Sequence, residues 1–171
     1  MGDEMIDQLL TDQQAHEIVE IIKIQCMHFQ SFMKKGDSIF YGPYTQMRQK
    51  YSATSAVISG FAPGRFQIEG ITSRNLYYGL HNGLVQPELS CENGIFHIYS
   101  GGSSLDGKPI KERCEKMNCS IDSPRVFFMI VVHVSTKGQL SKVEICLPNQ
   151  KGEIVNRKSI YVKEKIVSIT A

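Results

Sequence analysis

Near the start of the chain, apolar residues recur at three- and four-residue steps: Ile18, Ile22, Cys26, Phe29 and Met33, with Val19 and Ile21 widening the stripe. Glu17, Glu20, Lys23 and Gln30 fall outside it. That spacing gathers the apolar side chains on one face of an α-helix, which then needs a hydrophobic partner. Thr11 and Gln14 stand at capping-box spacing, so the helix is expected to begin near Asp12. Lys34 and Lys35 complement the dipole at its far end, and Gly36 is expected to stop it, giving a helix over 12–35. A second helical candidate begins at Pro43 with Tyr44, Met47 and Tyr51 on one side, its end blurred by Thr54, Val57 and Ile58.

Further along, the period changes from helical to alternating. Phe66 and Ile68 alternate with Gln67 and Glu69, which predicts a half-buried strand over 66–71. Residues 76–80 and 84–89 flank His81-Asn82-Gly83, a hairpin signal, and Asn93-Gly94 turns the chain into a strand over 95–99. A Gly- and Ser-rich loop over 100–108 leads to a short helix over 109–117. The stretch 126–134 is almost wholly apolar, as a central strand covered on both faces would be. After Lys137-Gly138, Val143, Ile145 and Leu147 alternate with Lys142, Glu144 and Cys146 on a returning strand that Pro148 ends. Ile154-Val155 and 160–169 are expected to add edge pairing. No linker or repeat divides the chain. The reading is one α+β domain over 1–171, its N-terminal helix packed on a mostly antiparallel sheet whose C-terminal strands occupy about 125–169.

Composition narrows the partners. A chain of 171 residues buries roughly 70% of its unfolded surface, enough for one core without staples. Its 19 basic and 17 acidic residues leave a net charge of only +2, without the excess of a protein built to hold duplex nucleic acid. Acidic residues at Asp3, Glu4 and Asp7 argue against a secretory signal, and no stretch reaches membrane-spanning length, so a cytoplasmic protein with no membrane partner is expected. The cysteines, five in number, are scattered and odd, which fits free thiols.

Candidate chemistry is sparse. Gly102 to Lys108 follows the first seven positions of a P-loop, but Pro109 stands where a hydroxyl and an amide are needed, and Asp106 would repel phosphate. A flexible loop is the expectation, with no cofactor. His97 and His133, near Ser135, form the candidate catalytic set. Their placement resembles the paired His-x-Ser/Thr elements of the two-histidine phosphoesterases, which implies that one imidazole accepts a proton and the other donates one. His133-Val134-Ser135 keeps that spacing, whereas His97-Ile98-Tyr99-Ser100 sets its Ser one position late. The resemblance implies a metal-independent phosphoesterase or ribonuclease. Cys114 and Cys119 lie at the edge of zinc spacing without a second pair, so no metal is expected. Glu88 and Glu92 are read as solvated turn residues, because no Lys follows to complete a nuclease carboxylate set. Arg48, Lys50, Arg65 and Arg74 interleave with aromatics, and Lys111 and Arg113 add charge, which makes a candidate nucleic-acid surface. With no cofactor fingerprint, the leading expectation is a small bacterial- or phage-type regulatory or interaction module, partnered by another protein or by itself as a homodimer. Nucleic-acid binding and phosphoester chemistry are the alternatives.

Overall fold

The computed structural model describes residues 2–39, 52–77, 85–101, 110–112 and 125–164. Among the described residues the regular elements are three helices, α1 (Gly2–Asp7), α2 (Asp12–Ile39) and α3 (Ala53–Ser59), a helical stretch over 110–112 within the short helix expected over 109–117, and six strands. The strands are β1 (Thr72–Tyr77), β2 (Val85–Ser90), β3 (Gly94–Ser100), β4 (Val126–Val134), β5 (Leu140–Pro148) and β6 (Ile154–Val162). They pair in sequence order, β1-β2-β3-β4-β5-β6. Every pairing is antiparallel except β3 with β4, which run parallel. The domain is therefore α+β with a mostly antiparallel sheet, and the single parallel pair requires the crossover that 101–125 supplies. No helix among the described residues is long and apolar enough to cross a membrane.

The capping box forms at the start of α2. The Thr11 amide donates to Gln14 Oε1 and the Gln14 amide to Thr11 Oγ1, both at 3.0 Å. Ile18, Ile22, Cys26 and Phe29 are buried as the stripe requires. Gly36 does not stop the helix, whose backbone runs on to Ile39. A glycine allows a left-handed stop without compelling one, and inside a helix it costs only about 1 kcal/mol relative to alanine. The candidate helix from Pro43 lies outside the described residues up to 51. In its β-branched end stands α3, capped by Ser52, whose Oγ accepts from the Ser55 amide at 3.1 Å.

The strand expected over 66–71 is replaced by turns. Gly64 and Gly70 take φ of 80° and 81°, and only a single Ile68–Ile71 bridge remains. Ile68 is nonetheless buried, and the Phe66 ring meets Phe61 at 5.8 Å, so the alternation marks packing without a ladder. The hairpin turn at 81–83 lies outside the described residues, but its two strands pair antiparallel as expected. In the C-terminal half, Gly138 and Gly152 turn with φ of 84° and 83°, and the expected edge segments join over Ile154–Val162 into one strand, β6, while 165–169 lie outside the described residues.

The sheet has two distinct faces. Phe96, Ile98, Phe128, Ile130, Val132, Val143, Ile145 and Leu147 form the main core with Ile18 and Ile22 of α2. Their alternates, Phe127, Met129, Val131 and Cys146, form a second cluster with Ile110, on the side away from α2. Both faces of β4 are thus covered, as its continuous apolar run demands.

Candidate functional site

Period-two alternation carries His97, His133, Glu88 and Glu144 to the face away from α2, in phase with Phe127 and Cys146. There they form two carboxylate–imidazole pairs. In the first, Glu88 is only 2% exposed, and its Oε2 lies 3.4 Å from Nε2 of the fully buried His97. Arg74, on the neighbouring strand and directly opposite Glu88, donates to Oε1 at 2.7 Å. The His97 ring meets Phe127 edge-on, centroids 5.3 Å apart. The hydrogen bond from His97 holds the Glu88 carboxyl below the ordinary carboxylate range; burial opposes this, and the Arg74 guanidinium reinforces it.

In the second pair, His133 Nε2 lies 2.6 Å from Glu144 Oε2, while Lys142 Nζ approaches Oε1 at 3.1 Å. Burial pushes the Glu144 carboxyl up, but hydrogen bonds and charge from His133 and Lys142 outweigh it and leave the group low. Glu144 is 3% exposed, whereas His133 and Lys142 keep 31% and 39%. The His133 ring lies directly against Gly101: a Cβ at that position would fall 2.3 Å from Nδ1. Only glycine leaves room for the imidazole there.

The two candidate catalytic histidines share a face but not a partner. His97 stands opposite Met129, four residues before His133 on the parallel strand, which separates their Cα atoms by about 13 Å along the strands. Ser135 belongs to the β4–β5 turn, its Oγ accepting from the Gln139 amide at 3.0 Å. Of the candidate cations, Arg74 engages Glu88, and Arg65 and Lys111 are exposed. Arg48, Lys50 and Arg113 lie outside the described residues, as do the P-loop-like stretch, Cys114 and Cys119. No group of three or more His, Cys, Asp or Glu among the described residues could hold a metal ion.

Glu88 is a correction. It is buried and ion-paired, not solvated in a turn, because the strand that holds it, already expected over 84–89, sets it opposite Arg74 and beside His97. Glu144 was legible only as the polar phase of an alternating strand. For Glu144 the signal is its phase, on the same side of its strand as the buried Cys146, whereas Glu88 is closed in only by its register opposite Arg74 and beside His97.

A separate feature lies on the other side of the sheet, where α2 and β6 bound a groove of about 290 Å³. Leu10, Val19, Ile145 and Ile160 give it apolar lining, and Asp12, His16, Glu20, Lys23 and Lys158 supply polar groups. Lys23 bonds Glu20 at 3.3 Å and lies 4.7 Å above the Tyr161 ring. Ile24, Met27, Val155 and Val162 are the large hydrophobic residues exposed among the described ones, and all stand on α2 or β6.

No protein-family model, curated protein or solved structure matches this chain.

Proposed function

We propose that the protein is a small interaction module without catalytic activity, and that it binds its partner along the side formed by α2 and β6. One observation carries this reading: the large apolar side chains left exposed among the described residues, Ile24, Met27, Val155 and Val162, belong to the two elements that bound the groove. Single exposed apolar residues are ordinary, but their concentration on the two elements that bound a concave apolar floor is the pattern of a binding surface, although Val162, opposite Lys142, stands on the other face of the sheet. Met27 lies one helical turn beyond Lys23 and so continues the groove's helical wall. Its flexible thioether suits a surface that adapts to a partner.

A second copy of the chain is the first partner to test, since two-fold self-association is the commonest assembly of soluble proteins. Simple edge-to-edge extension of the sheet is not the mode favoured. The β5–β6 register shifts twice and β6 carries Arg157 and Lys158, features that blunt an edge strand. Contact through side chains of α2 and the groove is favoured instead. Sedimentation velocity over a concentration series should show reversible association that Met27→Glu abolishes while the circular dichroism spectrum and thermal midpoint stay unchanged. A strict monomer at every concentration would remove the homodimer and leave a different protein as the partner; affinity selection that loses its ligand equally with Met27→Glu and with an exposed control on β1 would defeat the surface assignment altogether.

A further inference from the structure

On the opposite face, the geometry points to a second site, unrelated to the α2–β6 groove: we propose that His133 and Lys142, seated on the buried Glu144 carboxylate, bind a singly charged phosphoryl group.

The argument begins with register. His133 and Lys142 are direct cross-strand partners on β4 and β5, so their Cβ atoms stand roughly 5 Å apart on the same face. Like charges placed so are unfavourable, and the fold answers with one carboxylate between them. Glu144 Oε2 takes the imidazole at 2.6 Å and Oε1 takes the ammonium at 3.1 Å. Two cationic groups sharing one buried anion leave one unit of positive charge whenever the imidazole is protonated. A second anion of single charge completes the balance.

The donors fit this role. Nε2 of His133 is committed to Glu144, which leaves Nδ1 as the second N–H of the imidazolium, and the ammonium of Lys142 has two further protons. Both side chains keep about a third of their surface open to solvent, while the carboxylate beneath is shut away. Donors that face outward from a rigid strand pair, held by a buried acceptor, are pre-organised for an oxyanion with several acceptor oxygens. Gly101 serves the same end, since any side chain there would drive the ring off its carboxylate.

Binding takes up a proton where the imidazole is neutral. The described groups that face the ring are Glu144 and Lys142 from β5 and the backbone of Gly101, just past β3.

The test is a titration of the full chain followed by the ring resonances of His133 in NMR, near pH ~6 and again near pH ~8. The probes are inorganic phosphate, a short single-stranded oligothymidylate, and acetate as the carboxylate control. Saturable shifts centred on His133, stronger at the lower pH, lost in Lys142→Met and strengthened in Glu144→Gln, are the expected result. Binding of the oligonucleotide identifies a phosphodiester strand as the source, and binding of phosphate alone identifies a small phosphorylated ligand. The proposal is overturned by shifts that rise linearly without saturation, by acetate binding as tightly as phosphate, or by Lys142→Met leaving the titration unchanged. Should Glu144→Gln fail to fold, Lys142→Met, at a half-exposed position, decides alone.

Discussion

The same strands present two faces of different character. Toward α2, Phe96, Phe128, Ile130, Val132 and Ile145 make a continuous apolar layer that closes on Ile18 and Ile22. Away from α2, the alternating positions mix an apolar patch, Phe127, Met129 and Val131, with ionisable side chains on either side of it. The first face gains stability from area alone. The second spends part of its burial on charge: Arg74, His97, Lys142 and His133 hold the Glu88 and Glu144 carboxyls below the ordinary carboxylate range against the cost of burial. Replacing such pairs by apolar residues is often neutral or stabilising, so stability does not require them. Their presence on one face only is the reason to look there for binding chemistry.

Truncation on the two faces measures this difference. Phe128 is fully buried and stacks on Phe96 with ring centroids 4.7 Å apart. Phe128→Ala removes that area and leaves a cavity, and should cost about 4 kcal/mol in urea unfolding. Glu88→Ala removes one partner of a buried pair and leaves His97 without its carboxylate, at a cost of about 3 kcal/mol. The decisive contrast is with Glu88→Leu made together with His97→Phe, which should recover most of that loss, whereas no pair of substitutions of similar polarity rescues Phe128→Ala. If the apolar double variant is no more stable than Glu88→Ala, the ionic pair is itself a structural necessity and the comparison of faces fails.

These two faces were not equally legible in the sequence. The α2 stripe, the capping box at Thr11 and Gln14, and the apolar run of β4 follow from local periodicity, and all three appear in the structure. Two local readings went astray at glycine and alternation. Gly36 sits inside α2, and the alternating stretch from Phe66 lies in turns, because packing of Ile68 and Phe66 fixes side-chain direction without strand pairing. The ionic face depended on something no local pattern contains, the register between strands far apart in sequence. Glu88 reaches Arg74 through β1–β2 pairing, and His133 reaches Glu144 through β4–β5 pairing. The histidines were visible as candidates. Their separate carboxylates were not, since a period-two pattern gives the phase of a residue and not its neighbour across the ladder.

The smallest effect expected is also the one that isolates the charge on the second face. Glu88 and Glu144 both ionise more readily in the folded protein than at the ordinary carboxylate value of 4.5. The unfolded chain therefore binds protons first as pH falls, and binds more of them than the folded chain until the folded carboxyls also titrate. Stability from the two pairs is fully present above about pH 4.5, declines below it, and is gone once the folded values are passed. Glu144→Gln removes one of the two titrating groups while keeping an acceptor for His133 and the shape of the side chain. Its urea midpoint should thus fall less steeply with acid than that of the unsubstituted protein, while Phe128→Ala should lower the midpoint by the same amount at every pH. Parallel acid limbs for the unsubstituted and Glu144→Gln proteins would mean that solvent, and not the fold, sets the charge on Glu144, and the distinction between the two faces would then rest on Glu88 alone.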